Sequence, residues 1–308
     1  MSLKHNLMYY SKQIETRYGD EMHQLSEKSK FNIRKESQSI AADFKYLGYK
    51  VNTKFTSATV IKASDFLKLS EHWKEKGYSV GTMQNKATIL REILTAANNI
   101  DAILTNAELG ISKGRDVLNY ANVNKGCPAI SEKALSSVKD KAVLGAIKLI
   151  TAYGLRRDEA LHAVWALSKG RDITVNGSLK LRGSWCKNGR PREFEMRDGG
   201  SALKETTSLV KGFEFKGRLE QFRGRLDRTF KKLKRIDNNK SLHPHALRHN
   251  YAQERYFFIT GLQAPVAGGL KYTDMSPHEK SLYDRACKII SELLGHSRES
   301  IARTYLGK

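Results

Sequence analysis

The 308-residue chain is poor in cysteine, proline, acidic side chains and long apolar runs. Its three cysteines, Cys127, Cys186 and Cys287, are odd in number and widely spaced, so they offer neither a disulfide framework nor a zinc site. A membrane-spanning helix needs ~18–20 apolar residues. The best stretch, Ala142 to Leu155, is broken by Lys148, and Met1 to Tyr10 has no apolar signal-peptide core. Asp and Glu number 32 against 54 Lys and Arg, a net charge of +22. An excess of that size points to a polyanionic partner, nucleic acid before a membrane surface. Hydrophobic residues, at 40%, are plentiful enough for packed cores and exclude a wholly disordered chain. The expectation is a cytoplasmic, metal-poor, nucleic-acid-facing protein of two domains, on a prior of ~150 residues each.

The charge is unevenly spread. Residues 1–125 hold 19 basic and 13 acidic side chains, and the remainder 35 and 19, for net charges of +6 and +16. No proline occurs before Pro128, and Gly126 and Pro128 interrupt helical patterning. We therefore expect domains at 1–125 and 126–308. Apolar residues recur at three- and four-residue steps in Ile40, Phe44, Leu47, in Phe66, Leu69, Trp73 and in Ile89, Ile93, Ala96, so the first domain reads as a helical bundle. Gly48 and Gly77 mark helix ends.

In the second domain a helical pattern runs from Ser131, a candidate N-cap, to about Tyr153. Another follows Gly154, from Arg156 to Leu167. Then Asn176-Gly177 and Asn188-Gly189, each between strand-like runs, predict a three-stranded antiparallel sheet over about 171–197, since Asn-Gly supplies the positive φ values of a type I′ turn. Lys216 to Lys234 reads as a basic amphipathic helix with Leu219, Phe222, Leu226, Phe230 and Leu233 on one stripe. Its arginines suit DNA phosphates, and equally a solvated face. The fold class is mainly α with a small antiparallel sheet.

Five places concentrate side chains suited to phosphoryl transfer. Arg156 and Glu159 lie three apart at a helix start, where the carboxylate could orient a guanidinium to grip a phosphate; an exposed ion pair accounts for them too. His243, His245 and His249 fall within seven residues, and Arg248 lies three beyond His245. No carboxylate or cysteine is near enough in sequence to complete a metal site with them. His296 follows Gly295 at the end of Ser291-Glu-Leu-Leu, read as a short helix, and Tyr305 follows nine residues on. Lys187 sits at the edge of the second Asn-Gly turn.

The order Arg156, Lys187, His245, Arg248, His296, Tyr305 resembles that of the tyrosine recombinase (phage integrase) family. The motifs are Gly-Leu-Arg-x-x-Glu, a hairpin lysine, His-x-x-Arg-His, and Leu-Leu-Gly-His-Ser followed by the tyrosine. The resemblance covers the chain from about Ser131 well, and the first 125 residues in architecture alone. It implies a helical core-binding domain and a catalytic domain closing as a C-shaped clamp on double-stranded DNA. It further implies a homo-tetramer on paired sites, accessory DNA-bending proteins as further partners, and no cofactor or metal.

The implied reaction is attack of Tyr305 on a phosphodiester, leaving a 3′-phosphotyrosyl bond and a free 5′-hydroxyl. Arg156, Arg248 and His296 would hold the phosphate, His245 accept the tyrosine proton, and Lys187 protonate the leaving oxygen. Glu159 and His249 are supporting residues. Integration or excision of a mobile element is the expected role. A type IB topoisomerase and a non-catalytic DNA-binding regulator are the alternatives. Two departures from the family pattern stand out: a wide Arg248–His296 interval, with 261–280 read as an inserted loop or subdomain, and no helix after Tyr305. The DNA sequence, the direction of recombination and the means of protomer coupling are not encoded legibly.

Overall fold

The computed structural model describes residues 3–14, 27–49, 58–112, 121–175, 178–186, 189, 191–214 and 218–308. The chain divides into two compact units, Met1–Val117 and Leu118–Lys308. The junction lies outside the described residues, and 121–131, with Gly126 and Pro128, runs without helix.

Among the described residues of the first unit are α1 (Leu3–Ile14), α2 (Glu27–Tyr46), α3 (Ala63–Glu75) and α4 (Val80–Ala96), and the three apolar patterns fall on α2, α3 and α4. Leu7, Ile40, Phe44, Phe66, Leu69, Trp73, Leu90 and Ile93 are fully buried. Gly48 and Gly77, both at positive φ, close α2 and α3. Asp43 is buried within this core. It accepts from Trp73 Nε1 at 2.9 Å, Lys76 Nζ at 2.8 Å and the buried Lys86 Nζ at 3.2 Å. Burial would raise its pKa, but Lys76, Trp73 and Lys86 outweigh burial and hold it below the ordinary value.

The second unit contains α5 (Glu132–Ser136), α6 (Lys141–Tyr153), α7 (Arg157–Ser168), β1 (Thr174–Val175), β2 (Ser178–Leu181) and β3 (Arg192–Glu195). It continues with α8 (Ser201–Val210), α9 (Leu219–Ile236), α10 (Pro244–Thr260), α11 (Pro277–Leu293) and α12 (Arg303–Leu306). Ser131 caps α5 as expected, its Oγ accepting the Ala134 N–H at 3.1 Å. The pattern read as one helix from Ser131 to Tyr153 is two. Asp140 interrupts it, because its carboxylate accepts the N–H groups of Ala142 and Val143 and starts α6 afresh.

The sheet is antiparallel in the order β1-β2-β3. Val175 pairs with Ser178, leaving a two-residue connection, and the Asn176-Gly177 turn itself lies outside the described residues. Leu181 pairs with Arg192, so β2 and β3 are joined by residues 182–191 and not by a tight turn at Asn188-Gly189. A 3₁₀ turn at Gly183–Trp185 occupies this connection. A Cβ on Gly183 would lie 2.3 Å from the Gly189 carbonyl, so only glycine lets the two arms meet.

Two cores fill the unit. One gathers α6, α7, α8, α9 and the sheet, and includes the Phe222, Leu226, Phe230, Leu233 stripe of α9. The other gathers α10, α11 and α12. Residues 261–280 are packed into the second core. Gly261 ends α10 at φ +70°, Ala264 and Met275 are buried in the second core, and Ser276 with Glu279 caps α11. The short helix read at Ser291–Leu294 is thus the end of a 17-residue one.

Candidate active site

Arg156 is placed by a break between helices. α6 stops at Tyr153, Gly154 turns at φ +58°, and Arg156 caps α7 from extended backbone. A Cβ at position 154 would meet the Tyr251 ring at 2.4 Å, so space and dihedral both require glycine. From the first turn of α7, Glu159 reaches back. Its Oε2 accepts the Arg156 backbone N–H at 2.8 Å, and its Oε1 accepts the guanidinium Nη1 at 2.6 Å. Arg156 Nη2 also reaches the carbonyl of Gly295 at 3.4 Å. The Arg156 side chain keeps 23% of its surface exposed, while Glu159 keeps 1%.

The sequence reading missed Arg192. It enters from the start of β3, buried, and donates from Nη1 to Glu159 Oε2 at 2.5 Å and from Nη2 to the Leu293 carbonyl. Burial alone would raise the Glu159 carboxyl; Arg192 and then Arg156 reverse that, and its pKa lies below the ordinary value.

Arg248 comes from the first turns of α10, which begins with the His243 Nδ1 accepting the Ala246 N–H at 3.0 Å. It is 1% exposed. Its guanidinium donates to the carbonyls of Gly154 and Leu294 and, through Nε, to the Tyr305 phenolic oxygen at 3.3 Å. Among the described residues no carboxylate forms an ion pair with it. Burial first, then the charges of Arg156 and Arg192, pull its pKa down to about 10 against the opposing pull of Tyr305. A buried cation held by neutral carbonyls is electrostatically suited to an anionic group.

His296 is set by the end of α11, where Gly295 turns at φ +66° and the His296 N–H bonds the Ser291 carbonyl at 2.9 Å. Its Nε2 lies 3.4 Å from Arg248 Nη2 and 3.4 Å from the Tyr305 hydroxyl. Both contacts run through the same ring nitrogen, which joins the imidazole to the guanidinium and to the phenol.

Tyr305 lies on α12, buried at 5% exposure. Its short helix is fastened by the Ala121 N–H on the Arg303 carbonyl at 3.0 Å and by the Tyr283 hydroxyl on the Gly307 carbonyl. The ring packs against His249 at 4.5 Å between centroids and meets His245 edge-on at 5.8 Å. Partial desolvation, then the charge of Arg248, pushes His245 down to about 4. Burial, then His245 and Lys125, pushes the buried His249 to about 3. Both rings are therefore neutral near pH 7. Lys125, an exposed lysine not singled out from sequence, acts on both histidines from the segment that Asn250 fastens to α10 through Cys127.

Five of the six expected catalytic residues thus converge: Arg156, His245, Arg248, His296 and Tyr305. The sixth, Lys187, lies outside the described residues. Among the described residues, no group of three or more His, Cys, Asp or Glu side chains could hold a metal ion, and no helix is long and apolar enough to cross a membrane.

Residues 118–254 match the family model described as Integrase. No curated protein sequence is matched. Among solved structures, the chain is similar to the Tn1549 transposon integrase in complex with circular intermediate DNA. The identity is 20%, the TM-score 0.56, and the match covers 100% of this chain and 96% of that one. It is similar also to a Tn1549 integrase variant in complex with transposon right-end DNA, with 18% identity, a TM-score of 0.57, and coverage of 100% and 95%. A third match is a lambda integrase dimer bound to a COC′ core site, with 16% identity, a TM-score of 0.57, and coverage of 100% and 79%. At these identities the likeness establishes a shared fold.

Proposed function

We propose that the chain, whose residues 118–254 match the integrase family model, is a site-specific DNA recombinase of the tyrosine recombinase type. Double-stranded DNA is its substrate. The observation that carries this reading is the buried Arg248, whose guanidinium donates to two carbonyls and lies against a tyrosine hydroxyl and close to His296. A phosphodiester would set its negative charge against this cation. The matched integrases were solved on DNA, which supports the same substrate here.

In the reaction, the Tyr305 oxygen attacks phosphorus and the bond to the 5′-oxygen breaks, giving a 3′-phosphotyrosyl linkage and a 5′-hydroxyl. One phosphodiester is exchanged for another, so the step needs no external energy source. Arg156, its exposed arm steadied by Glu159, holds a non-bridging oxygen. Arg248 stabilises the phenolate that develops on Tyr305 and the charge on the phosphorane-like centre. For the phenol proton, His296 has Nε2 within hydrogen-bond range of the hydroxyl, whereas His245 meets the ring edge-on. This supports His296 as acceptor before DNA is seated, with neutral His245 the second base available. Lys187 is proposed to protonate the departing 5′-oxygen. Assembly as a tetramer on paired sites, and a part in moving a mobile element, belong to the same proposal.

The test is incubation with a library of nicked duplexes, followed by sequencing of covalently captured DNA. Attachment through Tyr305 at a preferred sequence is expected. Relaxation of plasmids lacking any cognate site would instead favour a type IB topoisomerase, and no attachment to any duplex would overturn the catalytic reading.

A further inference from the structure

Arg192 has no exposed surface with which to touch DNA, its side chain being 3% accessible, yet it contacts both halves of the phosphate-binding set. On one side its Nη1 occupies Glu159 Oε2, the oxygen that also takes the Arg156 backbone N–H. This leaves the Arg156 guanidinium a single contact with the carboxylate, through Oε1, and keeps a planar fork from closing bidentately on it. On the other side its Nη2 holds the Leu293 carbonyl at the end of α11. Its Cδ fills the space beside Gly295, where a Cβ would come within 2.5 Å. Gly295 precedes His296, and its carbonyl receives Arg156 Nη2. Arg192, Glu159, Arg156 and Gly295 therefore form a closed ring linking the sheet, the start of α7 and the end of α11.

We propose that Arg192 is a positioning residue, which keeps the donors of Arg156 turned towards the scissile phosphate and sets the Gly295–His296 turn beside them. This rests on the recombinase reading. Without Arg192, Oε2 is open to a second guanidinium contact, and Arg156 collapses onto Glu159. The Gly295 turn also loses its packing partner.

The experiment measures single-turnover formation of the covalent adduct on a nicked duplex captured by the wild-type chain. Arg192→Gln is expected to slow it by about 10–100-fold, the usual loss when a group orienting a functional side chain is removed. In an Arg156→Ala background the same change is expected to cost several-fold less, because coupled residues are not additive and only the effect on the Gly295–His296 turn remains. Arg192→Lys, which keeps charge and stem but cannot bridge both partners, should fall between wild type and Arg192→Gln. It also stands in for Arg192→Gln if that variant does not fold. Equal losses in both backgrounds would mean a general structural role and overturn the proposal, as would a wild-type rate in Arg192→Gln. If the wild-type chain forms no adduct with any duplex, the recombinase reading fails, and this inference with it.

Discussion

Each unit of this protein buries one carboxylate between cations, and the two arrangements end differently. In the first unit Asp43 is ringed by Trp73, Lys76 and Lys86, with Lys86 also bonded to Ser39 Oγ and lying over the Trp73 and Tyr78 rings. The donors around it are absorbed by the fold. In the second unit Glu159 is held by Arg192 from below, while Arg156 keeps an arm at the surface. Nearby, Arg248 has carbonyls where Asp43's lysines have a carboxylate. The first network closes on itself, whereas the second leaves one cationic arm at the surface.

The largest expected effect separates the two networks outright. Tyr305→Phe removes the attacking oxygen and should abolish covalent attachment to a nicked duplex while gel-shift affinity persists; attachment by the variant would remove Tyr305 from its role. Next, Arg156→Ala should slow attachment by about 10²–10³-fold, as for loss of one charge-stabilising donor, with little change in melting temperature. Asp43→Ala should do the reverse, removing the buried carboxylate on which Trp73, Lys76 and Lys86 converge, at a cost of about 3–5 kcal/mol. Its attachment rate at saturating DNA, below its own melting point, should match wild type. Equal effects of the Arg156 and Asp43 variants on rate would erase the distinction between the networks.

The smallest effect concerns pH. His245 at about 4 and His249 at about 3 are depressed, so the unfolded chain binds protons that the folded one refuses. Their contribution to stability is complete above the unfolded value of ~6.5 and is lost as pH falls towards 4 and below. Asp43 and Glu159, also depressed, add a loss at lower pH as their carboxyls protonate. Melting temperatures from pH 7 to 4 should fall less steeply for His249→Phe than for wild type; an unchanged slope would acquit His249.

The residues legible in the sequence were those whose spacing is local. Arg156 and Glu159 share a helical turn, His245 and Arg248 share another, and Gly295 announces the turn that sets His296. Arg192 was not legible. In a chain with 54 basic residues one more arginine carries no signal, and its partner Glu159 lies 33 positions away, reached only in the folded unit. Length was misjudged where side-chain caps intervene. Asp140 splits one apolar pattern into α5 and α6, and Ser276 with Glu279 starts α11 well before its apolar end. The second Asn-Gly pair misled because such a pair marks a turn without fixing how many residues separate the strands.

The seat of Tyr305 on Arg248 has a consequence for the idle protein. A guanidinium 1% exposed under a phenol ring offers chloride, free phosphate or a nucleotide no route to it. On the recombinase reading, seating a phosphate on Arg248 and freeing the Tyr305 hydroxyl from it are therefore one movement.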